Sequence, residues 1–258
     1  MKVGVCELPP EIEPGSSVWR DFAARVERGR PDLLLLNEMP FGAWIAAGEK
    51  PDPEVFDKSR LLHERGLAEL GELGAPVVLG TRPAGHGQRN VNEAFVWTRE
   101  SGLTSVHTKQ YFPNEEGYYE ARWFEAGERH FRVAAAGPAR VGFLICTEVM
   151  FNEHARHYGR QGAQILAVPR AVGRASLPRW LVAMQMAALV SGCYVLTSNR
   201  GGRDSRGQLF GGCGWVVDPG GEKLAQTSAE TPVVFYDLDL DAVARAQRGY
   251  PCYVPELV

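Results

Sequence analysis

The sequence lacks the features that mark disulfide-rich, zinc-binding and secreted proteins. Its 258 residues include five cysteines, an odd number without any CxxC pair, so neither a disulfide scaffold nor a zinc cluster is indicated. Free thiols in a reducing, cytoplasmic setting are therefore expected. The opening segment MKVGVCELPP has no basic stretch followed by a long apolar one, and we expect no secretion signal there.

Two further absences concern partners. No apolar run approaches the roughly 18 residues needed to cross a bilayer, so no membrane span is expected. Lys and Arg number 28 against 31 Asp and Glu, giving a net charge of -3 without a long run of one sign. This balance argues against nucleic acid or an anionic membrane as the main partner. The motifs GxxxxGK[ST], GxSxG and HExxH are missing as well.

Short apolar runs alternate with helical patterns along the chain, and 45% of the residues are hydrophobic. This alternation predicts an α/β fold, and the strand-rich stretch 194–240 suits a layered sandwich. The length favours a single domain, residues 1–258. The apolar runs at 33–36 and 143–145 indicate strands that are buried on both faces. The polar stretch 81–90 predicts a surface hairpin.

Two predicted helices have clear apolar faces. The first spans residues 16–29, with Ser17 as the expected N-cap and Gly29 as its end. The second spans residues 177–192 and ends at Gly192. The predicted buried faces are Val18, Phe22, Ala23 and Val26 in the first helix, and Trp180, Met184, Ala187 and Ala188 in the second.

Three predicted strands end at a reactive type of side chain. LLLLNEMPFG delivers Glu38, SVHTKQYFP delivers Lys109, and GFLICTEVMF delivers Cys146. A thiol with an ordinary pKa is mostly unreactive at neutral pH and needs a nearby cation or a base. Lys and Glu supply both, and an α/β sheet brings distant strand ends to one edge. The three residues together therefore predict a nucleophilic site.

Each of these residues alone has a simpler interpretation. A glutamate after a strand is usually a solvated charge, a lysine a surface cation, and a cysteine a small buried hydrophobe. His154 and His157 in HARH have a spacing that could hold a metal, but no third ligand accompanies them, and no metal site is predicted. The joint occurrence of the three strand ends favours chemistry.

The chain resembles the nitrilase, or carbon-nitrogen hydrolase, superfamily. The similar blocks are LLNEMPFG, HTKQYFPNEEGYYEARWFEAGE, GFLICTEVMFNEHARHYGRQGAQILAVP and SNRGG, in the order of the family and over most of the chain. The resemblance implies a four-layer α-β-β-α sandwich. It also implies a cysteine hydrolase that needs no metal or organic cofactor.

The same resemblance implies residue roles. Glu38 matches the general base, Lys109 the catalytic lysine and Cys146 the nucleophile. A second glutamate usually follows the lysine in this family. Glu120, which lies just before RWFEAG in the block that contains Lys109, is the first choice for it, and Glu116 is the second choice. The backbone N–H of Thr147 is expected to stabilise an oxyanion together with Lys109.

The residues around the nucleophile narrow the expected substrate. Nitrilases typically carry Trp after the cysteine and are longer, so Thr147 and the chain length favour an amidase, near the N-carbamoylputrescine amidase branch. Branches that act on N-carbamoyl amino acids typically place arginine soon after the cysteine, where this chain has Val149 and Met150. The expected substrate is a small linear amide or N-carbamoyl amine, with conversion of a nitrile as the alternative.

Several side chains are candidates to contact that substrate. Arg170, in VPRAVGR, could bind an anionic group, with a structural salt bridge as the alternative. Core packing is the alternative for the aromatic candidates. The candidate substrate contacts are Trp44, Phe112, Trp123, Glu148 and Arg170, with Trp180 also near the similar blocks.

Other functions and partners stay open from the sequence. They are a Cys-His hydrolase that uses one of six histidines, a noncatalytic binding protein on the same fold, and an ammonia-supplying subunit of a separate synthetase. The resemblance also implies a homodimer or higher homo-oligomer that pairs through segments near the nucleophile. The expected pairing segments are 151–162, the helix that starts near Pro178, and the apolar C-terminal stretch 250–258.

Overall fold

The structure, a computed structural model, describes residues 1–128 and 130–256, which form thirteen strands and six α-helices. The strands are β1 (Lys2–Leu8), β2 (Leu33–Leu35), β3 (Val77–His86), β4 (Arg89–Thr98), β5 (Gly102–Thr108), β6 (Ala134–Ala136), β7 (Ala139–Phe143), β8 (Ile165–Pro169), β9 (Tyr194–Arg203), β10 (Leu209–Gly211), β11 (Trp215–Val217), β12 (Lys223–Gln226) and β13 (Val233–Asp237). The helices are α1 (Ser17–Gly29), α2 (Pro53–Ala68), α3 (Glu120–Trp123), α4 (Asn152–Arg160), α5 (Leu177–Ser191) and α6 (Leu240–Arg248).

The strands belong to one extended sheet with two halves, in the order β5-β4-β3-β2-β1-β9-β8-β7-β6. Strands β1, β2 and β3 run parallel, and so do β7, β8 and β9. The halves join where β1 pairs with β9, through only two residue pairs, Glu7 with Asn199 and Leu8 with Arg200. Because β5 pairs antiparallel with β4, and β4 with β3, β5 runs in the direction of β1 to β3. The carboxyl ends of these strands therefore lie at one edge.

Two hydrophobic layers flank the first half of the sheet. On one face, Val5 and Leu35 pack in the same cluster as Val141 and Ile165 of the second half. On the other face, alternate residues of β2 and β3 pack in a cluster with α1, including its fully buried Trp19. Side chains alternate between the two faces of a strand, so each half contributes one inner and one outer layer.

Helices α4 and α5 cover the outer face of the second half. A Cβ at Gly142 of β7 would lie 2.5 Å from the Tyr158 ring of α4, so glycine allows this close approach. Helix α5 buries Trp180, Met184, Ala187 and Ala188 and ends at Gly192 with a left-handed φ of 66°. The predicted four-layer α-β-β-α sandwich and the predicted face of α5 are confirmed.

The predicted start and buried face of α1 are each wrong by one residue. Ser16, not Ser17, is the N-cap, and its side chain accepts a hydrogen bond from the Trp19 backbone N–H. Trp19 is fully buried, whereas Val18 is 49% exposed. The spacing of Trp19, Phe22, Ala23 and Val26 fits one face of a 3.6-residue period, and Val18 lies about 100° away from Trp19.

The sequence patterns do not predict α2. Its buried positions are Phe56, Ser59, His63 and Gly66, so only one of four is a large apolar residue and the hydrophobic period is hidden.

The predicted hairpin at 81–90 is confirmed, and it consists of the end of β3, a turn and the start of β4. The two apolar runs predicted to be buried on both faces are fully buried. No helix in the described part of the chain is long and apolar enough to cross a bilayer.

Candidate active site

The three reactive side chains predicted from strand ends meet at one edge of the sheet. Glu38 follows β2, Lys109 comes directly after β5, and Cys146 follows β7. Glu120 is the first residue of α3, and Asn92 lies within β4. Parallel strands present their carboxyl ends together, which explains how residues more than 100 positions apart come into contact.

Lys109 lies between two carboxylates. Its Nζ is 2.7 Å from Glu38 Oε1 and 2.6 Å from Glu120 Oε2, and Asn92 Nδ2 donates a further hydrogen bond of 2.8 Å to Glu38 Oε1. The side chains of Lys109, Glu38 and Glu120 are at most 1% exposed. Glu116, the other candidate for the second glutamate, is exposed, so the geometry favours Glu120.

One oxygen of each carboxylate is left without a partner. Glu38 Oε2 and Glu120 Oε1 are buried and accept no hydrogen bond from the described residues. Acceptor atoms of Glu38 and Glu120 lie within 4.8 Å of one another and of Cys146 Sγ. This spacing could hold a metal, but the Lys109 ammonium already supplies the positive charge that pairs with both carboxylates. The chain's own residues therefore place the Cys146 thiol within 4.8 Å of a carboxylate oxygen of Glu38 and of Glu120, and each of these carboxylates has one oxygen without a partner among the described residues.

Cys146 lies in a tight turn that begins the short 3-10 helix Cys146–Met150. Its φ is 73°, in the left-handed region that a residue with a Cβ seldom adopts. The Cys146 N–H donates to Leu144 O at 3.0 Å. Thr147 follows in the first turn of the helix, where backbone N–H groups have no partner within the helix. The turn thus presents the thiol and the next backbone N–H at the strand end.

Glu148 holds this turn in place. One of its oxygens, Oε2, accepts from the Ile145 backbone N–H at 2.7 Å and lies 2.8 Å from His107 Nε2. The other, Oε1, accepts from the Gln110 backbone N–H at 2.7 Å. Glu148 was a candidate substrate contact, but the structure places both of its oxygens in contacts that join the Cys146 turn to the segment after Lys109.

The loop that carries Glu38 is fixed by contacts that sequence reasoning missed. Glu38 N–H donates to Arg170 O at 3.2 Å, and Met39 N–H donates to Thr81 Oγ1 at 2.8 Å. The fully buried Arg200 donates to the carbonyls of Met39 and Gly42. Arg200 and Asn92 could not be found by residue type alone, because arginine and asparagine are common in loops and at strand ends.

A cavity of about 130 Å³ opens onto Cys146. Among the described residues its wall contains no histidine, so the Cys-His alternative loses support. The wall also includes Trp180 and the half-buried Tyr118, whose pKa burial raises to about 12. The lining residues are Pro113, Glu115, Tyr118, Glu120, Cys146, Thr147, Met150, Ala171, Val172, Gly173, Ser176, Arg179 and Trp180.

The aromatic candidates lie beside this wall and not in it. Trp44 Nε1 donates to Gly117 O at 3.1 Å, and Trp123 Nε1 donates to Gly48 O at 2.6 Å. Phe112 packs in the same hydrophobic cluster as these two tryptophans. The structure places all three in packing that supports the loops around the cavity.

Arg170 lies behind the wall as well. Its Nε donates to Thr197 Oγ1 at 2.6 Å, its Nη2 donates to Cys213 O at 2.7 Å, and its guanidinium centre is 4.3 Å from the Trp215 ring centroid. The side chain is fully buried, and burial lowers its pKa to about 9. Within the described residues it forms neither an ion pair nor part of the cavity lining.

The family model for carbon-nitrogen hydrolases matches residues 2–248 of the chain. The chain belongs to this family. A crystal structure of a carbon-nitrogen hydrolase from Helicobacter pylori G27 has the same fold, with a TM-score of 0.86 at 21% identity, covering 98% of this chain and 94% of that one.

Two relatives of this hydrolase have named activities. The citrullinase of Francisella tularensis is 26% identical over 232 residues, which cover 84% of this chain and 80% of the relative. The N-carbamoylputrescine amidase of Solanum lycopersicum is 29% identical over 244 residues, which cover 86% of this chain and 80% of the relative.

Burial sets the charge states in the hydrolase site. Burial raises the pKa of the Cys146 thiol well above its ordinary value, Glu38 raises it further, and Lys109 lowers it. Burial disfavours the Lys109 ammonium, but the carboxylates of Glu120 and Glu38 outweigh that effect and raise its pKa. At neutral pH the lysine is therefore charged and the resting thiol is protonated, so the thiol needs a base.

Proposed function

We propose that this hydrolase cleaves the carbon-nitrogen bond of a small linear amide or N-carbamoyl amine through a thioester on Cys146. The observation that carries the proposal is the unpartnered Glu38 Oε2 in a cluster where acceptor atoms and Cys146 Sγ lie within 4.8 Å. A protonated thiol close to a carboxylate that has one oxygen without a partner has a base within reach.

The first half of the reaction forms the thioester. Glu38 takes the Sγ proton as sulfur attacks the carbonyl carbon, and the carbonyl electron pair moves to oxygen. Lys109 Nζ and the Thr147 backbone N–H stabilise that oxyanion. When the oxyanion collapses, the carbon-nitrogen bond breaks and the leaving nitrogen takes the proton from Glu38. Ammonia or an amine departs.

The second half opens the thioester with water. Glu38 takes a proton from the water as its oxygen attacks the thioester carbon, and the same two donors stabilise the new oxyanion. The carbon-sulfur bond then breaks, and the thiolate recovers its proton from Glu38. An acid is released, which in the case of an N-carbamoyl amine is a carbamic acid that loses carbon dioxide.

Glu120 acts through Lys109 in this scheme. Its 2.6 Å contact with Nζ keeps the ammonium charged and aimed at the position of the oxyanion. Glu120 is also part of the cavity wall. The small cavity and the activities of the two named relatives support a short substrate with an amide or ureido end.

Ammonia release from a panel of amides, N-carbamoyl amines and nitriles tests the proposal, with the wild type and Cys146→Ala compared on each compound. We expect wild-type turnover of amides or carbamoyl amines and none by Cys146→Ala. Turnover by the variant at the wild-type rate would contradict the proposal, and exclusive turnover of nitriles would replace the substrate class while keeping the nucleophile.

We also propose that the enzyme pairs with a second copy through its outer helices. On α5, Val182, Met186 and Leu189 lie at helical spacing and are 63%, 43% and 37% exposed. Two other expectations stay predictions: a single domain over residues 1–258, and a cytoplasmic setting. The described part of the C-terminal stretch folds onto its own chain, with Arg156 donating to the carbonyls of Pro251 and Val254. Residues 257–258 lie outside the described residues. A monomer by light scattering at micromolar concentration would contradict the pairing.

A further inference from the structure

We infer that the substrate carries a zwitterionic amino-acid head, with its side chain ending in the amide or ureido group. Arg179 binds the carboxylate of that head and Glu115 binds its ammonium group. The inference rests on the proposed function and adds to it the chemical class of the substrate and two residues that select it.

The charges of the cavity are divided between its floor and its mouth. The floor contains Glu120 and Cys146, both buried, and the Glu120 charge is paired with Lys109. The exposed charged residues of the lining are Glu115 and Arg179. A substrate whose reactive end reaches Cys146 therefore passes its other end between one anionic and one cationic side chain.

Neither mouth residue is engaged elsewhere. Among residues 1–128 and 130–256, the side chains of Arg179 and Glu115 have no ion-pair or hydrogen-bond partner. Arg179 lies in the first turn of α5, next to the buried Trp180. Glu115 lies in a short hairpin, held by the exchange of backbone hydrogen bonds with Tyr118 at 2.8 and 3.3 Å. Both charges are held at the cavity by ordered backbone and are available to a ligand.

The wall between floor and mouth is mostly uncharged. Met150, Ala171, Val172 and Trp180 contribute apolar surface there. No cation follows the nucleophile closely, since Val149 is buried and Met150 is apolar. Lys109, the cation beside Cys146, is already paired with Glu38 and Glu120. A carboxylate next to the reacting group would therefore find no unpaired cation, so the charged head is separated from that group by an apolar spacer such as a few methylene groups.

Two opposite charges at one mouth favour a ligand with two opposite charges. A substrate with only an ammonium group would pair with Glu115 but bring a like charge near Arg179, and a substrate with only a carboxylate would do the reverse. Like charges at close range disfavour binding, whereas a zwitterion satisfies both side chains.

Four ureides of equal chain length separate these contributions. L-Citrulline has both charges, N-carbamoylputrescine lacks the carboxylate, 5-ureidopentanoate lacks the ammonium group, and butylurea lacks both. We expect the wild-type kcat/KM to be highest for citrulline and lowest for butylurea. Because the mouth charges do not touch the reacting atoms, we expect the differences to appear mainly in KM.

Two charge-removing variants test the assignments. Arg179→Gln should raise KM about tenfold for citrulline and 5-ureidopentanoate, in line with one charged hydrogen bond at a partly exposed site. It should leave KM for butylurea within about twofold and should not raise KM for N-carbamoylputrescine, because the variant removes a like charge from the path of its ammonium group. Glu115→Gln should raise KM by a similar factor for citrulline and N-carbamoylputrescine only. Arg174→Gln and Glu116→Gln are matched controls, because both residues are exposed neighbours outside the cavity lining, and they should leave all four KM values unchanged.

A uniform effect of Arg179→Gln and Glu115→Gln on all four ureides, or no effect on any, would overturn the inference. Failure of the wild type to hydrolyse any of the four ureides or L-glutamine would overturn it as well. In that case the wider panel of amides, carbamoyl amines and nitriles decides the proposed function separately, because Cys146-dependent turnover of any uncharged amide would preserve the mechanism.

Discussion

Glu38 and Glu148 are two fully buried carboxylates close to the Cys146 turn, and they differ in how their oxygens are used. Glu38 accepts two hydrogen bonds at Oε1 and none at Oε2 from the described residues. Glu148 has contacts at both oxygens, with Ile145, His107 and Gln110. A buried acceptor without a partner costs free energy, so a fold retains one mainly where it serves a purpose.

This difference in hydrogen bonding distinguishes a carboxylate that can act as a base from one that supports the fold. The free oxygen of Glu38 can take a proton, and the filled oxygens of Glu148 can only hold the backbone in place. Residue type and burial do not distinguish the two carboxylates. Their hydrogen bonds do, and each bond can be removed by a conservative substitution.

The largest effect is expected from Glu38→Gln. The amide oxygen can keep both hydrogen bonds accepted at Oε1, and the amide nitrogen takes the place of the atom that has no partner, so the fold should be retained. The base is lost, and kcat should fall about 10³-fold, within the range for general acid-base catalysis. Steady-state ammonia release measures the fall, and urea denaturation should show a free energy of unfolding within about 1 kcal/mol of the wild type. Near-normal activity would remove Glu38 from the mechanism.

A smaller loss of activity, with a large loss of stability, is expected from Lys109→Met. Removal of one oxyanion donor should lower kcat at least about 100-fold. The variant also leaves two buried carboxylates without their cation, which should lower the free energy of unfolding by about 3 kcal/mol. A fall in kcat of less than about tenfold would mean that Lys109 does not stabilise the oxyanion.

The stability loss of Lys109→Met should depend on pH. Burial raises the pKa of Glu120, and Lys109 opposes that rise in the wild type. Without the lysine the folded-state pKa rises further above the unfolded value, so the folded state binds more protons and its stability falls as pH rises between the two values. Denaturation from pH 4 upward should therefore show the variant approaching the wild type at the acidic end. A loss that is constant with pH would contradict this electrostatic account.

Glu148→Gln should lose more stability and less activity than Glu38→Gln. Both carboxylate oxygens of Glu148 accept hydrogen bonds, and in the variant one of them becomes an NH₂ group that faces a donor. This should lower the free energy of unfolding by about 1 to 3 kcal/mol. Displacement of the turn should lower kcat about tenfold, since small errors of placement are costly in catalysis. Glu100→Gln, at an exposed position in the turn after β4, is the matched control and should change neither quantity. Equal stability of Glu148→Gln and wild type would remove the distinction between the two carboxylates.

The smallest signal is expected from the thiol itself. Because burial and Glu38 raise the pKa of Cys146 above its ordinary value, the thiolate absorbance of the wild type minus that of Cys146→Ser should show no step between pH 5 and 8. A step in that interval would indicate a resting thiolate stabilised by an ion pair, and Glu38 would then not be needed to take the thiol proton.

The sequence predicted the parts of the site that depend on strand ends. Apolar runs place Glu38, Lys109 and Cys146 at carboxyl ends of strands, and parallel pairing is enough to bring such ends together. The sandwich follows from the same runs with the family resemblance. Asn92 escaped prediction because it lies inside β4 and reaches Glu38 only through the pairing of strands that are distant in sequence.

Side-chain direction limited the remaining predictions. Glu148 accepts hydrogen bonds from the backbone of Ile145 and Gln110 and does not line the cavity, and the turn that carries it has a left-handed φ at Cys146 that no periodic pattern indicates. Arg170 was a candidate to bind an anionic group, yet its guanidinium turns toward Trp215. The charges at the cavity mouth, Glu115 and Arg179, come from a hairpin and a helix start, and only the folded chain shows that they share a wall.

Intact mass spectrometry of enzyme quenched in acid during turnover tests the central claim most directly. Cys146 should carry an adduct equal in mass to the substrate minus ammonia or amine, located on the peptide that contains Cys146 and removed by hydroxylamine, as a thioester is. Turnover by Cys146→Ala at the wild-type rate, or an adduct located on another residue, would contradict the account.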